Sequence, residues 1–126
     1  MKTNSKDAFI KEMKGRTKKF AVDVIQFCES LKVSKATNVI IYQLVKSSIS
    51  TGANYRAACH ARFRKEFFSK ICIVVEEIDE SKYWLEIIRE SNLTEEGIEL
   101  ERLLKEADEI SKITGKAKDS TYQSFQ

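Results

Sequence analysis

Residues 67–88 read FFSKICIVVEEIDESKYWLEII, and this stretch indicates the fold. Its apolar and small residues recur at alternating steps of four and three positions, which places them on one face of an α-helix. The residues of this seam are Phe67, Ile71, Val74, Ile78, Ser81, Leu85 and Ile88. A seam of this period is typical of a helix that packs in a left-handed bundle.

Two amphipathic helices precede this seam. Between about residues 16 and 31, steps of four, three and four positions connect the apolar residues Phe20, Val24, Phe27 and Leu31. The next helix is predicted to begin at an N-cap formed by Ser34 or Thr37, because serine and threonine hydroxyls accept hydrogen bonds from free backbone amides. We expect this second helix to end between residues 60 and 63, since no proline stops it earlier.

A fourth helix is predicted after residue 93. Leu93 and Ile98 flank Thr94 in the manner of a hydrophobic staple around an N-cap. The apolar residues that follow at helical spacing are Leu100, Leu103, Leu104, Ala107 and Ile110. This helix is expected to fray near Thr114 and Gly115, because the remaining residues are polar and lack sustained periodicity.

The chain of 126 residues therefore predicts a single domain over residues 1–126, with flexible ends at residues 1–10 and 115–126. Four helices with short connections favour an all-α, antiparallel, up-down-up-down four-helix bundle. The absence of proline and the presence of only four glycines argue against a turn-rich β structure.

The composition also bears on location. Cys28, Cys59 and Cys72 are odd in number, widely spaced and set among small or apolar neighbours, as expected for unpaired thiols in a reducing compartment. The chain offers no apolar stretch long enough to cross a bilayer and no apolar signal core at its beginning. We therefore expect a cytoplasmic protein without a membrane partner.

Residues 47–58 read SSISTGANYRAA, an unusually small and polar sequence for a long helix. One interpretation is a close helix approach, in which Ser48 and Gly52 admit a bulky neighbour such as Phe67 or Trp84 and the polar side chains bond locally. Across a hairpin that turns near residues 61–64, Ser48 is expected near Glu76 or Glu77. The alternative interpretation is a polar groove for a ligand, which no residue here specifies.

Charge is distributed unevenly along the chain. Residues 1–75 carry fifteen basic residues (Lys and Arg) and five acidic residues (Asp and Glu). Residues 76–109 carry four basic and thirteen acidic residues, and we call them the acidic half. This asymmetry has two interpretations: a basic face for an acidic polymer, or oppositely charged surfaces that attract within or between subunits.

A basic stretch at the end of the second helix is interleaved with aromatic residues, including Tyr55, Phe63 and Phe67. Arginines at a helical hairpin can contact phosphates, and exposed aromatic rings can stack on unpaired bases. The candidate nucleic-acid-binding residues are Arg56, Arg62, Arg64, Lys65, Lys70, Lys18 and Lys19. A solvated helix end, or an interface with the acidic half of another subunit, explains the same charges.

Catalytic and metal sites are not indicated, and we expect no enzyme, no cofactor and no metal. A di-metal bundle requires Glu-x-x-His motifs on facing helices. The carboxylates of residues 76–80 have no such motif, because His60 is the only histidine of the sequence. Cys59 is adjacent to His60 in sequence, but neighbouring helical positions point about 100 degrees apart. A Cys-His nucleophile is therefore not expected.

Two separated segments resemble the small bacterial four-helix-bundle family named for proteins encoded in 23S rRNA intervening sequences. They are QLVKSSISTGANYRAA at residues 43–58 and FRKEFFSKICIVVEEIDESKYWLEII at residues 63–88, within a similarity over about residues 10–112. Lys46 departs from the pattern, because arginine is frequent there in the family.

The resemblance implies an antiparallel four-helix bundle that assembles as a ring, commonly a pentamer, and it does not imply an enzyme. Related bundles that serve diversity-generating retroelements bind nucleic acid and a reverse transcriptase, so RNA or DNA and a reverse transcriptase are implied partners. From charge and resemblance together, we expect a self-associating bundle that binds RNA or DNA backbones, chiefly through Arg56, Arg62, Arg64 and Lys65. The alternative is an oligomeric protein-protein scaffold without nucleic-acid binding.

Overall fold

The computed structural model describes residues 4–126 and consists of four α-helices. They are α1 (Ser5–Cys28), α2 (Lys35–Cys59), α3 (Arg64–Glu90) and α4 (Gly97–Gln123). Helix α1 packs against α2 and α4, and α3 packs against α2 and α4, so the helices form the four sides of an up-down bundle. The predicted all-α four-helix bundle is confirmed. Within residues 4–126, no helix is both long and apolar enough to cross a membrane.

The core follows the predicted seams. Six of the seven seam residues of α3 are buried, and Phe67 is half-buried at the end of the bundle. The predicted apolar residues of α1 and α4 are buried as well. A larger cluster from all four helices fills one part of the bundle, and a smaller cluster around Met13, Tyr55, Ile71 and Val74 fills the other.

Helix α2 begins as predicted, because Ser34 is its N-cap and its hydroxyl oxygen accepts a hydrogen bond from the Thr37 amide at 3.1 Å. Helix α1 begins earlier than predicted, at Ser5 rather than near residue 16. Asn4 caps it, accepting a hydrogen bond from the Asp7 amide at 2.7 Å. Residues 5–10, predicted to be flexible, are therefore helical, whereas residues 1–3 lie outside the described residues.

The predicted end of α4 near Thr114 and Gly115 is wrong, because the helix continues to Gln123. Thr114 is buried, and its hydroxyl donates to the Ile110 carbonyl oxygen at 2.8 Å. Beyond it, the Tyr122 ring packs on Phe68 at 5.9 Å between ring centroids. These contacts outweigh the helix penalty of one glycine, about 1 kcal/mol. Residues 115–123 of the predicted flexible end are thus helical, and their side chains are exposed or half-buried.

The predicted hydrophobic staple at the start of α4 is also wrong. The N-cap position is occupied by Glu96, and Ile98 is 92% exposed. Thr94 instead accepts a hydrogen bond from the Glu96 amide at 2.9 Å, within a turn that follows the positive φ of Asn92. The turn directs Ile98 into solvent, away from Leu93.

The small residues of α2 do permit close helix approach, but the neighbour of Gly52 differs from the prediction. A Cβ atom at Gly52 would lie 3.2 Å from the Thr17 carbonyl oxygen of α1, rather than against Phe67 or Trp84 of α3. Towards α3, Ser47 meets Ser81 with 2.8 Å between the hydroxyl oxygens. This pairing confirms the expected α2–α3 register to within a helical turn.

Candidate nucleic-acid interface

Four helix ends enclose a cavity of about 560 Å³ at one end of the bundle, here called the end cavity. The first turns of α1 and α3 and the last turns of α2 and α4 line it. Its apolar lining includes Phe9, Tyr55, Phe63, Phe67 and Ile113. Three cationic residues also line it: Lys6, Arg62 and Arg64. The cavity thus combines aromatic surface with positive charge.

A second concave surface, the α1–α2 groove, lies on the outside of the bundle and encloses about 420 Å³. Lys18 and Arg56 line it together with Lys14, a cation that was not among the predicted residues. Its floor contains Gly52, where α1 and α2 come closest. The i, i+4 spacing of Lys14 and Lys18 was the available signal for Lys14.

The remaining candidates line neither surface. Lys19 faces the seam between α1 and α4, where its Nζ atom lies 2.8 Å from Asp23. Lys65 is exposed and Lys70 is half-buried. The structure therefore divides the seven predicted residues among separate surfaces, with Arg62 and Arg64 at the end cavity and Lys18 and Arg56 at the groove.

Ion pairing distinguishes these cations from the others. Within residues 4–126, the ion pairs involve six basic residues: Arg16, Lys19, Lys82, Arg89, Arg102 and Lys112. Those that bridge helices connect α1 or α3 to α4, and all of them except Arg102–Asp23 use carboxylates of residues 76–109. In the same part of the chain, the cations of the end cavity and of the groove have no carboxylate within ion-pair distance, so their charge is available to an external anion.

The α1–α4 seam shows how firmly the paired charges are held. The hydrogen bond to Glu106 raises the pKa of Arg16, against the opposing effect of burial. Burial raises the pKa of Asp23, but hydrogen bonds from Lys19 and Arg102 outweigh it, so that pKa lies below its usual value. These charges stabilise the contact between helices and are already neutralised.

Aromatic side chains border the cations of the end cavity. Phe63 is 68% exposed, and the guanidinium carbon of Arg62 lies 5.9 Å from the centroid of its ring. Phe9 of α1 is also exposed. Phe63 occupies the N-cap position of α3, where no side chain of residues 4–126 caps the helix. An exposed ring beside an arginine is the arrangement that stacks on an unpaired base.

Two ionisable groups that line the end cavity, the Cys59 thiol and the Tyr55 hydroxyl, have raised pKa values. Burial raises the pKa of the Cys59 thiol, although a hydrogen bond with Tyr55 opposes this effect. Burial, together with Cys59, also raises the pKa of the Tyr55 hydroxyl. A thiol with a raised pKa remains protonated near neutral pH and is a weak nucleophile.

The carboxylates of residues 76–80 lie on or near the surface of α3. Burial, and then the charge of Glu80, raises the pKa of Glu77, while Lys46 partly opposes them. The Trp84 indole nitrogen donates a hydrogen bond to Glu80 at 3.3 Å. Among the side chains of residues 4–126, no three His, Cys, Asp or Glu residues converge on a common metal position.

An exposed stripe runs along α2 on the side opposite its core face. It consists of Val39, Tyr42, Lys46, Ile49, Ala53 and Arg56, all exposed and spaced alternately by three and four positions. Val22 and Ile25 of α1 extend this surface, and both are more than a third exposed. We call it the α1–α2 face. The regular spacing of its residues was the available sequence signal for this surface.

Comparisons with known proteins place the chain in a family. Residues 12–116 match the family model described as 23S rRNA-intervening sequence protein. The crystal structure of a protein with unknown function from the S23 ribosomal protein family of Bacteroides thetaiotaomicron is similar, with a TM-score of 0.75 and 29% sequence identity. The match covers 87% of this chain and 97% of that one. No curated protein gives a significant match. The chain therefore belongs to the family of 23S rRNA-intervening sequence proteins.

Proposed function

We propose that the chain is a non-enzymatic, self-associating helical bundle that binds RNA or DNA backbones. One observation carries this proposal. Arg62 and Arg64 are exposed at the end cavity and, within the described chain, have no carboxylate within ion-pair distance, although carboxylates of residues 76–109 pair with five other cations. Phosphates are the anions that such cations bind with little sequence preference. Lys65, exposed on the first turn of α3, adds charge at the same end of the bundle.

Self-association is supported by two surfaces of opposite character. The α1–α2 face carries exposed apolar residues together with Lys46 and Arg56, and Lys18 lies in the adjoining α1–α2 groove. The outer face of α3 carries acidic residues, including Glu76 and Glu80, around the exposed ring of Tyr83. The opposite charges favour contact between one surface of one copy and the other surface of the next copy, a heterologous contact of the kind that builds rings. Together with the family resemblance, this favours a pentameric ring.

Fluorescence anisotropy with labelled single-stranded RNA and DNA tests the binding proposal. We expect binding at low salt that weakens steeply as salt is added. The double variant R62E/R64E should lose most of this binding and keep its mass by light scattering. Absence of binding by the unmodified protein at low salt would refute the proposal.

The second candidate function is a protein-protein scaffold without nucleic-acid binding. The α1–α2 groove favours it, because Lys18 and Arg56 flank exposed apolar side chains where a neighbouring subunit can cover them. Under this hypothesis, Arg62 and Arg64 pair with carboxylates of a neighbouring subunit, so R62E/R64E also disrupts the oligomer. Under our leading proposal, K18E/R56E disrupts the oligomer while R62E/R64E does not. Light scattering of the two double variants therefore distinguishes the two functions.

We further propose a cytoplasmic location, supported by the three free cysteines. A reverse transcriptase is a proposed partner, by analogy with the retroelement accessory bundles. Co-purification of the two proteins when they are expressed together tests this partnership. Repeating the co-purification with R62E/R64E would show whether nucleic acid mediates the partnership.

A further inference from the structure

We propose that the end cavity receives one unpaired nucleobase, while Arg62 and Arg64 hold the adjacent phosphate. This inference rests on the proposed binding of nucleic acid and names the part of the polymer that this site recognises. It predicts a preference for a dangling or looped-out nucleotide over a fully paired helix, whose bases are stacked away from a protein cavity.

The size and lining of the end cavity support a base as its occupant. A volume of about 560 Å³ lies within the range of small-molecule sites and exceeds what isolated water molecules require. Phe67 and Phe9 come from different helices, so aromatic surface borders the cavity on more than one side. Base stacking on such rings tolerates any of the common bases.

Polar groups complete the match to a base. Helix α4 lines the cavity with Ser120, Thr121 and Ser124. The hydroxyls of Thr121 and Ser124 donate to backbone carbonyl oxygens at 2.7 Å and 2.6 Å, so their oxygen lone pairs remain free to accept. The exocyclic amino group of a base is a donor for such oxygens. An alkyl chain, the other apolar occupant with an anionic head, would make no hydrogen bond to these oxygens.

The phosphate position follows from the cations. Arg62 and Arg64 flank Phe63 and line the cavity with it, while Lys6 lines it from α1. A nucleotide with its base among the aromatic rings has its phosphate only a few bonds away, within reach of a guanidinium group. Arginine holds a phosphate through two parallel hydrogen bonds, which fixes orientation as well as charge.

The test compares two RNA hairpins that carry the same number of phosphates. One ends in an unpaired adenosine, and the other ends in an abasic residue at that position. Anisotropy should show that the protein binds the adenosine form about tenfold more tightly. A117F places a ring in the cavity from α4 and should reduce the ratio of the two affinities to about one. A36F adds the same ring at the exposed start of α2 and should keep the preference.

Thermal unfolding checks that A117F is folded. If it is not, F9A replaces it, because Phe9 is half-exposed and its removal should weaken the base preference without unfolding the bundle. Alkylation of Cys59, which lines the cavity, supplies an independent readout, with Cys72 of α3 as the internal reference. The adenosine hairpin should protect Cys59 more than the abasic hairpin does.

Equal affinity of the unmodified protein for the two hairpins would overturn this inference and leave backbone binding intact. If the unmodified protein bound neither hairpin at low salt, the proposed function would be overturned instead. Protection of Cys59 by oleate, without protection by the adenosine hairpin, would assign the cavity to an alkyl chain and also overturn the inference.

Discussion

Ser47 of α2 and Ser81 of α3 meet inside the bundle, with 2.8 Å between their hydroxyl oxygens and no exposed surface on either residue. Each hydroxyl is also within hydrogen-bonding distance of a backbone carbonyl oxygen of its own helix, that of Leu44 or Glu77. The two hydroxyl hydrogens are therefore shared among three contacts: the Ser47–Ser81 contact and one backbone contact for each serine. The pair satisfies buried polar groups at a point where small side chains let α2 and α3 approach closely.

Replacement of Ser81 by alanine should lower the free energy of unfolding by about 1 kcal/mol, because the inter-helix hydrogen bond is removed while Ser47 keeps its backbone partner. The double variant S47A/S81A should cost less than the sum of the two single variants, since both remove the same bond. Urea denaturation at a fixed protein concentration measures all three. Strict additivity would show that the two hydroxyls act independently.

Glycine replacements should have different outcomes at two helical positions. A Cβ atom added at Gly115 of α4 would meet no heavy atom within 4 Å, so G115A should raise the free energy of unfolding by about 1 kcal/mol through helix propensity. At Gly52, the added Cβ meets the Thr17 carbonyl oxygen at 3.2 Å, so G52A should fall short of that gain and G52L should be destabilising. Thermal unfolding of the three variants checks this order, which equal gains for G52A and G115A would contradict.

Glu77 should make stability depend on pH. Burial and the neighbouring Glu80 raise its pKa in the folded chain above the unfolded value. Its contribution is therefore fully present below the unfolded pKa and is lost as pH rises through the higher folded pKa. E77Q should increase the free energy of unfolding at neutral pH by less than about 1 kcal/mol, and should have little effect at acid pH.

Urea denaturation at both pH values measures the effect of E77Q. D79N, at an exposed position of the same helix, is the matched control and should change stability little at either pH. A gain for E77Q of the same size at acid and neutral pH would show that a cause other than ionisation is responsible.

The salt dependence of RNA affinity should report the phosphate contact at the end cavity. R62A/R64A should reduce the slope of log affinity against log salt concentration by about 0.7 for single-stranded RNA, the value for the one phosphate that the two arginines hold. K32A/K35A removes two exposed lysines near the start of α2 and should leave the slope unchanged. Equal reductions for the two double variants would indicate diffuse attraction by overall charge.

The core of the bundle was predictable because burial imposes a helical period on the sequence. The seam of α3 from Ile71 to Ile88 lies in the core as its spacing predicted, and Ser34 caps α2 as its residue type predicted. These features depend on residues close in sequence, whose relative positions are fixed by helix geometry alone.

Features that depend on contacts between distant segments were missed. The continuation of α4 beyond Gly115 depends on packing of Tyr122 against Phe68, and the close approach at Gly52 depends on the backbone of α1. Likewise, the division of the basic residues between the end cavity and the groove is set by which helices adjoin each of them. Sequence spacing identified cationic residues but not the surfaces that they share.

The end cavity is built from residues near both termini, including Lys6 and Ser124. A polyhistidine tag attached close to Lys6 or Ser124 would add protonatable imidazoles near the opening that Arg62 and Arg64 line. Binding measurements are best made on protein from which such tags have been cleaved, or with a tag inserted in the distant turn between α1 and α2.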